Sequence, residues 1–170
     1  MLEDSIVLKQ DNGLYSITNL GTPLVDINRF IDNPPKSRNE ILSGLMRRLK
    51  MCEELGSGWD RIALECELKQ LPAPKINLYE ENTKVILFSE LPFANIPHED
   101  KLWTCYLHSC LKQVTHEGLT NSSLRQSFGL EEKSSAPISR LIKEAVEKGL
   151  IKAFDPDTAP KHMKYVPFWA

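Results

Sequence analysis

The sequence predicts an α+β protein in two segments: hairpins mixed with amphipathic helices, then three helices and a hairpin in winged helix-turn-helix order. Three observations predict it. Strand-type runs flank turn formers such as Asn12-Gly13, apolar residues recur at helical spacing over several windows, and the stretch "SELPFANIPHE" (89–99) breaks the pattern with two prolines. The segments are residues 1–90 and 100–170, with a linker at 91–99.

The runs Ser5–Lys9 and Leu14–Thr18 surround Asp11-Asn12-Gly13, whose Asn-Gly pair tolerates the positive φ of a hairpin turn. After Pro34-Pro35, Ser37 and Glu40 have capping-box spacing and predict a helix start. That helix runs to about Cys52 and buries a stripe of Ile41, Leu42, Leu45, Met46 and Leu49, with Arg47, Arg48 and Lys50 elsewhere. Beyond Gly56-Ser57-Gly58, the spacing of Trp59, Ile62, Ala63 and Cys66 predicts a second helix to about Lys69, ended by Pro72 and Pro74. Lys75–Tyr79 and Lys84–Phe88 read as a second hairpin.

In the second segment, Trp103, Tyr106, Leu107, Cys110, Leu111 and Val114 mark the core face of one helix. Leu124 and Phe128 anchor a short helix capped by Thr120 or Asn121. The third helix buries Ile138, Leu141, Ile142, Ala145 and Val146 and ends at Gly149. Leu150–Phe154 and Lys164–Trp169 then enclose a polar loop at Asp155-Pro156-Asp157, which completes the winged order.

At 170 residues, 41% hydrophobic and 26% charged, the composition is that of an ordinary globular protein. No apolar run is long enough for a membrane span and the start lacks a signal-peptide pattern, so the expectation is a cytoplasmic protein with no membrane partner. Cys52, Cys66, Cys105 and Cys110 are irregularly spaced, which fits buried thiols. Cys105 and His108 share a helical face, yet a closed zinc site needs four ligands and no complementary pair is evident. The pairs Glu53-Glu54, Glu80-Glu81 and Glu131-Glu132 read as solvated surface. Net charge is -2, distributed as -3 over residues 1–97 and +1 over 98–170, so any nucleic-acid binding must come from a local patch.

The second helix of a helix-turn-helix enters the major groove. Its outward residues here are Ser135, Ser139, Arg140, Lys143, Glu144, Glu147 and Lys148; the hairpin adds Lys152, Lys161, His162 and Lys164, and Arg125 stands on the preceding helix. Hydroxyls and cations suit phosphates and base edges, whereas the two glutamates oppose a polyanion. The other reading is a packing or dimerisation module whose charges only solvate its faces.

A glycine turn that opens a helix can hold phosphate, because terminal amides point outward and glycine permits close approach. Gly56-Ser57-Gly58 has that placement but lacks a Walker lysine, and a helix-ending glycine turn has the same appearance.

The run "NLGTPLVDINRFIDNPPKSRNEILSGLMRRLKMCEELGSGWDRI" closely resembles the C-terminal ATP-binding module of RecG-related bacterial helicases and transcriptional regulators. The hallmarks are a strand ending in N-P-G, a P-x-R-N helix start and "RRL…EERGSGID"; they match Asn19-Leu20-Gly21, Pro35 to Asn39, and Arg47 to Asp60. The stretches "LPAPKINLYEENTKVILF" and "KYVPFWA" resemble the family as well. In that family an AlbA-like domain, proposed to bind nucleic acid, precedes a GHKL-like module, and a winged helix follows.

The resemblance implies that residues 1–90 are the C-terminal part of such a module. It implies that Asn19 and Gly21 belong to a first glycine box, and Gly56, Ser57 and Gly58 to a phosphate-facing second one. Leu20 replaces the usual proline and Leu55 the usual arginine. The helix bearing the family's Glu and Asn would lie upstream of Met1, so the expectation is no catalytic residue and no cofactor in this chain, with ATP and Mg²⁺ confined to a longer parent. The reading is therefore a non-enzymatic DNA-binding regulatory piece of a RecG-related protein. Its alternatives are the nucleotide-binding domain of an ATP-dependent enzyme and a protein-interaction module, possibly a homodimer.

Overall fold

Backbone hydrogen bonds organise the described residues of this computed structural model, 8–11, 14–17, 24–34, 36–51, 57–79 and 82–170, into an α+β arrangement. It divides into two units, one of Met1–Ile62 with Lys75–Leu87 and one of Ala63–Pro74 with Phe88–Ala170.

In the first unit, β1 (Leu8–Asp11) pairs antiparallel with β2 (Leu14–Ile17), and β3 (Lys75–Tyr79) pairs antiparallel with β4 (Asn82–Leu87). The two hairpins join edge to edge through β2 and β4, with Tyr15 opposite Leu87 and Ile17 opposite Val85, giving the order β1-β2-β4-β3. Residues 5–7, 12–13 and 18 of the predicted first hairpin lie outside the described residues. The centre of the second hairpin is buried at Ile76, Thr83, Val85 and Ile86.

Helix α1 (Glu40–Arg48) begins after Asn39, whose side chain accepts the Leu42 amide at 2.9 Å. The cap is thus Asn39 and not Ser37, because a cap must reach the orphan amides of the first turn and Ser37 lies too far before it. The predicted buried stripe is also corrected. Ile41 is 88% exposed, Leu42, Leu45 and Leu49 are exposed, and no residue of α1 is buried. Periodicity prescribes an apolar face; it does not supply what covers it.

Helix α2 (Ser57–Leu68) begins in the first unit and ends in the second. Of its predicted apolar face, Ala63 and Cys66 are buried while Ile62 is exposed. The segment after it docks on α3 (His98–Val114): the Ala73 amide donates to Thr104 Oγ1 at 3.2 Å, and Trp103 Nε1 donates to the Pro74 carbonyl at 2.8 Å.

The second unit continues with α4 (Asn121–Ser127), α5 (Ser135–Glu147) and the antiparallel pair β5 (Ile151–Ala153) and β6 (Tyr165–Pro167). Leu119 bridges Tyr165 by reciprocal backbone bonds of 2.8 and 2.9 Å, which adds a third position to the small sheet. Its core holds Leu102, Cys105, Tyr106, Leu119, Leu124, Ile138 and Ile151, each at 1% exposure or less. Helix α3 is buried around more of its girth than one stripe predicts, with Leu102 and Cys105 inside as well as Tyr106, Leu107 and Cys110; Val114 and Val146 are exposed. The 91–99 stretch, predicted to be an unpacked linker, buries Ile96 and sets Phe93 edge-on to Phe128 with centroids 5.0 Å apart. Two apolar anchors suffice to hold a proline-bound segment that has no regular repeat.

The helices end alike. After α5, Gly149 adopts φ +68°, its amide reaches the Val146 carbonyl, and the Leu150 amide reaches that of Ala145, both at 2.9 Å. After α1, α2 and α3 the same left-handed position is held by Lys50, Gln70 and His116, with Met51, Leu71 and Glu117 making the longer bond.

Candidate functional site

Two places draw on the residues singled out in the sequence. In the first unit, Asn19, Gly21 and Gly56 lie outside the described residues, while Ser57 opens α2 and Gly58 is its second residue. A Cβ placed on Gly58 would meet nothing within 4 Å among the described residues, so they leave the first turn of α2 open on that side. Trp59 meets the Phe30 ring edge-on at 5.8 Å. Asp60 Oδ1 is buried and has no hydrogen-bond partner among the described residues, and burial pushes that carboxyl above its usual value against an opposing backbone hydrogen bond. The turn therefore offers helix-terminal amides and, among the described residues, an open side at Gly58.

In the second unit, the first turn of α4, the first half of α5 and the loop before β6 enclose a concavity of about 390 Å³. Four sequence-predicted residues line it: Arg125, Ser135, Ser139 and Lys161. Asn121 stands among them. Its amide nitrogen donates to the Ser135 carbonyl at 3.0 Å and to Ser139 Oγ at 2.9 Å, while its oxygen accepts from Arg125 Nη1 at 3.2 Å and from Ser135 Oγ at 3.3 Å. Among the described residues no Asp or Glu lines this hollow.

The other predicted cations lie elsewhere. Arg140 and Lys143 share a shallow face of α5 with Glu144, Glu147 and Lys148. That face is mixed in sign: Lys143 Nζ is 3.8 Å from Glu147, and Lys148 Nζ is 3.3 Å from Glu144 and 3.2 Å from Glu99. Lys152 is exposed on β5, and Lys164 lays its stem over Gly118, where a Cβ would come within 2.7 Å of it. A polyanion would meet like charge on the α5 face and none among the described residues of the hollow.

Sequence reasoning read Thr120 and Asn121 only as alternative caps. Thr120 is the cap, and it forms a capping box with Ser123. That frees Asn121 for the tertiary bonds above, which no local pattern signals. A triad of buried His108 with half-buried Glu67 and Ser123 was equally invisible, because its members come from three helices. Cys66, Cys105 and Cys110 are buried thiols, and among the described residues no group of His, Cys, Asp and Glu is placed to hold a metal. No described helix is long and apolar enough to cross a membrane.

A family model described as "Putative ATP-dependent DNA helicase recG C-terminal" matches residues 13–87. This interval includes β2, α1, the glycine turn, α2, β3 and β4. Comparison with curated proteins and with solved structures gives no match.

Proposed function

We propose, starting from the match of residues 13–87 to the RecG C-terminal family, that this segment is the nucleotide-binding end of an ATP-dependent RecG-related protein. The match is the observation that carries the reading, since its interval contains Gly56-Ser57-Gly58. The described part of that turn fits a phosphate: α2 is long enough for a full set of terminal amides, and no described residue fills the space beside Gly58. The Ser57 and Gly58 amides would face the phosphates.

Titration calorimetry of ATP with Mg²⁺ into the whole chain tests this. Binding that weakens about tenfold in Gly58→Val, through loss of close approach worth roughly 1.4 kcal/mol, supports it. Absence of binding to the unaltered chain, or equal binding by the variant, defeats it.

A second reading is favoured by the hollow of the second unit: the unit is a winged helix-turn-helix that contacts duplex nucleic acid. The helix order, the bridge at Leu119 and the acid-free grouping of Asn121, Arg125, Ser139 and Lys161 support it. It stands second because the family match ends at residue 87 and so includes only Ala63–Pro74 of this unit, stopping before α3. Anisotropy of a labelled random duplex at about 50 mM salt tests it, and Arg125→Ala with Lys161→Ala should lower both the affinity and its salt slope.

A further inference from the structure

His108 is 2% exposed, and both of its ring nitrogens are engaged. Nδ1 lies 2.8 Å from Glu67 Oε2 on α2, and Nε2 lies 2.9 Å from Ser123 Oγ on α4. A carboxylate only accepts, so Nδ1 carries a proton, and Nε2 pairs with the Ser123 hydroxyl, whose single hydrogen also lies within reach of the Thr120 carbonyl at 3.1 Å. Ser123 Oγ also accepts the Thr120 amide at 3.0 Å, while the Ser123 amide donates to Thr120 Oγ1 at 3.1 Å. One hydroxyl therefore belongs both to the relay from α2 and to the capping box of α4.

Helix α4 has seven residues, far fewer than a helix needs to persist by itself. Its position depends on tertiary ties. Leu124, fully buried, fixes its depth but leaves rotation and slide weakly specified, since an apolar contact is non-directional. The bond from His108 is directional and ends in its first turn, next to Asn121. Asn121 in turn holds Arg125, Ser135 and Ser139.

We propose that His108 is a positioning residue for the hollow: the Glu67–His108–Ser123 relay sets the register of the α4 N-terminus and so aims Asn121 and Arg125. Neither Glu67 nor His108 lines the hollow. The partner whose affinity depends on them is the phosphate backbone of duplex nucleic acid, and this rests on the second reading above. Glu67, on the part of α2 that belongs to the second unit, thus reaches the hollow's wall through two hydrogen bonds.

The test compares Glu67→Leu, which keeps the bulk but removes the acceptor, with Glu67→Gln, whose amide oxygen still accepts from Nδ1. Three quantities are measured on the whole chain: the Asn121 side-chain amide resonances, amide exchange in α4 and α5, and affinity for a labelled random duplex. Glu67→Leu should move the Asn121 resonances and speed exchange at Ser123 and Leu124 about tenfold, the effect of one lost net hydrogen bond, with Ile142 in α5 unchanged. Duplex affinity should fall about fivefold, and Glu67→Gln should restore all three. Glu67→Met, of similar bulk and likewise without the acceptor, gives the same signature should Glu67→Leu not fold.

Unchanged Asn121 resonances and unchanged α4 exchange in the folded variants overturn the proposal, even if the melting temperature drops. Equal disruption by Glu67→Gln and Glu67→Leu overturns it too. If the unaltered chain fails to bind duplex, the nucleic-acid reading falls, and the resonance and exchange comparison still decides the relay.

Discussion

Asn121 Nδ2 lies 2.9 Å from Ser139 Oγ, so a single side chain fastens the start of α4 to the first half of α5. Because the same amide also engages the Ser135 carbonyl, the Asn121→Ala variant should lose about 1 kcal/mol of stability in urea unfolding, at an unchanged denaturant slope. A loss near zero would mean that water replaces these bonds at no cost.

His116 ends α3 with φ +57°, a conformation that crowds its Cβ. The residue is exposed, and only its backbone is needed for the turn in which the Glu117 amide reaches the Lys112 carbonyl at 2.7 Å. His116→Gly should therefore stabilise the fold by roughly 0.5–1 kcal/mol, with relief of strain exceeding the entropy glycine adds to the unfolded chain. Thermal unfolding checks the sign.

Glu144 is held below the ordinary carboxylate value, first by its hydrogen bond to His98 at 2.8 Å and then by Lys148. A depressed folded pKa adds stability above the unfolded value of 4.5, and that share is lost as pH falls through the folded one. In His98→Ala, an NMR titration should show the Glu144 carboxyl moving back up toward 4.5. No movement would show that Lys148 alone sustains the shift.

Cys105 is fully buried in α3, and burial pushes its thiol up to about 12 from 9.0. It should resist a thiol reagent at about pH 8 until urea unfolds the chain, because the thiolate is the reactive form. The folded thiol keeps its proton where the unfolded one releases it, so the urea midpoint should begin to fall as pH rises past 9.0. Labelling of the native protein as fast as that of the unfolded chain would contradict the burial.

Much of the secondary structure is legible in the sequence for local reasons. Lys75–Tyr79 is a strand as read, because β-type residues sit between Pro74 and a polar turn. The third helix stops where Gly149 permits a left-handed turn. The core positions of α5, from Ile138 to Ala145, follow from a 3.6-residue period. The apolar stripe of α1 has the same legibility, yet Ile41, Leu42, Leu45 and Leu49 are exposed and Met46 is only half-buried, because a period describes a helix and not its partner.

The candidate sites divide in the same way. Hydroxyls and cations on α5 were evident as a set, but Ser135 and Ser139 share a hollow with Arg125 and Lys161 while Arg140 and Lys143 turn to a face crowded with glutamates. Helical phase predicts that those pairs diverge; it does not say which direction meets another element.

The sequence by itself determined the order of helices and strands and the resemblance to the RecG-related module, since each depends on residues close together in the chain. Only the tertiary structure decided that the two hairpins share one sheet, that Asn121 gathers the hollow, and that Glu67, His108 and Ser123 meet inside the second unit. The physical reason is distance along the chain: 41 residues separate Glu67 from His108. Hydrogen bonds between groups so remote leave no period, spacing or turn signal in the sequence, because they exist only once packing has paid the entropy of bringing them together.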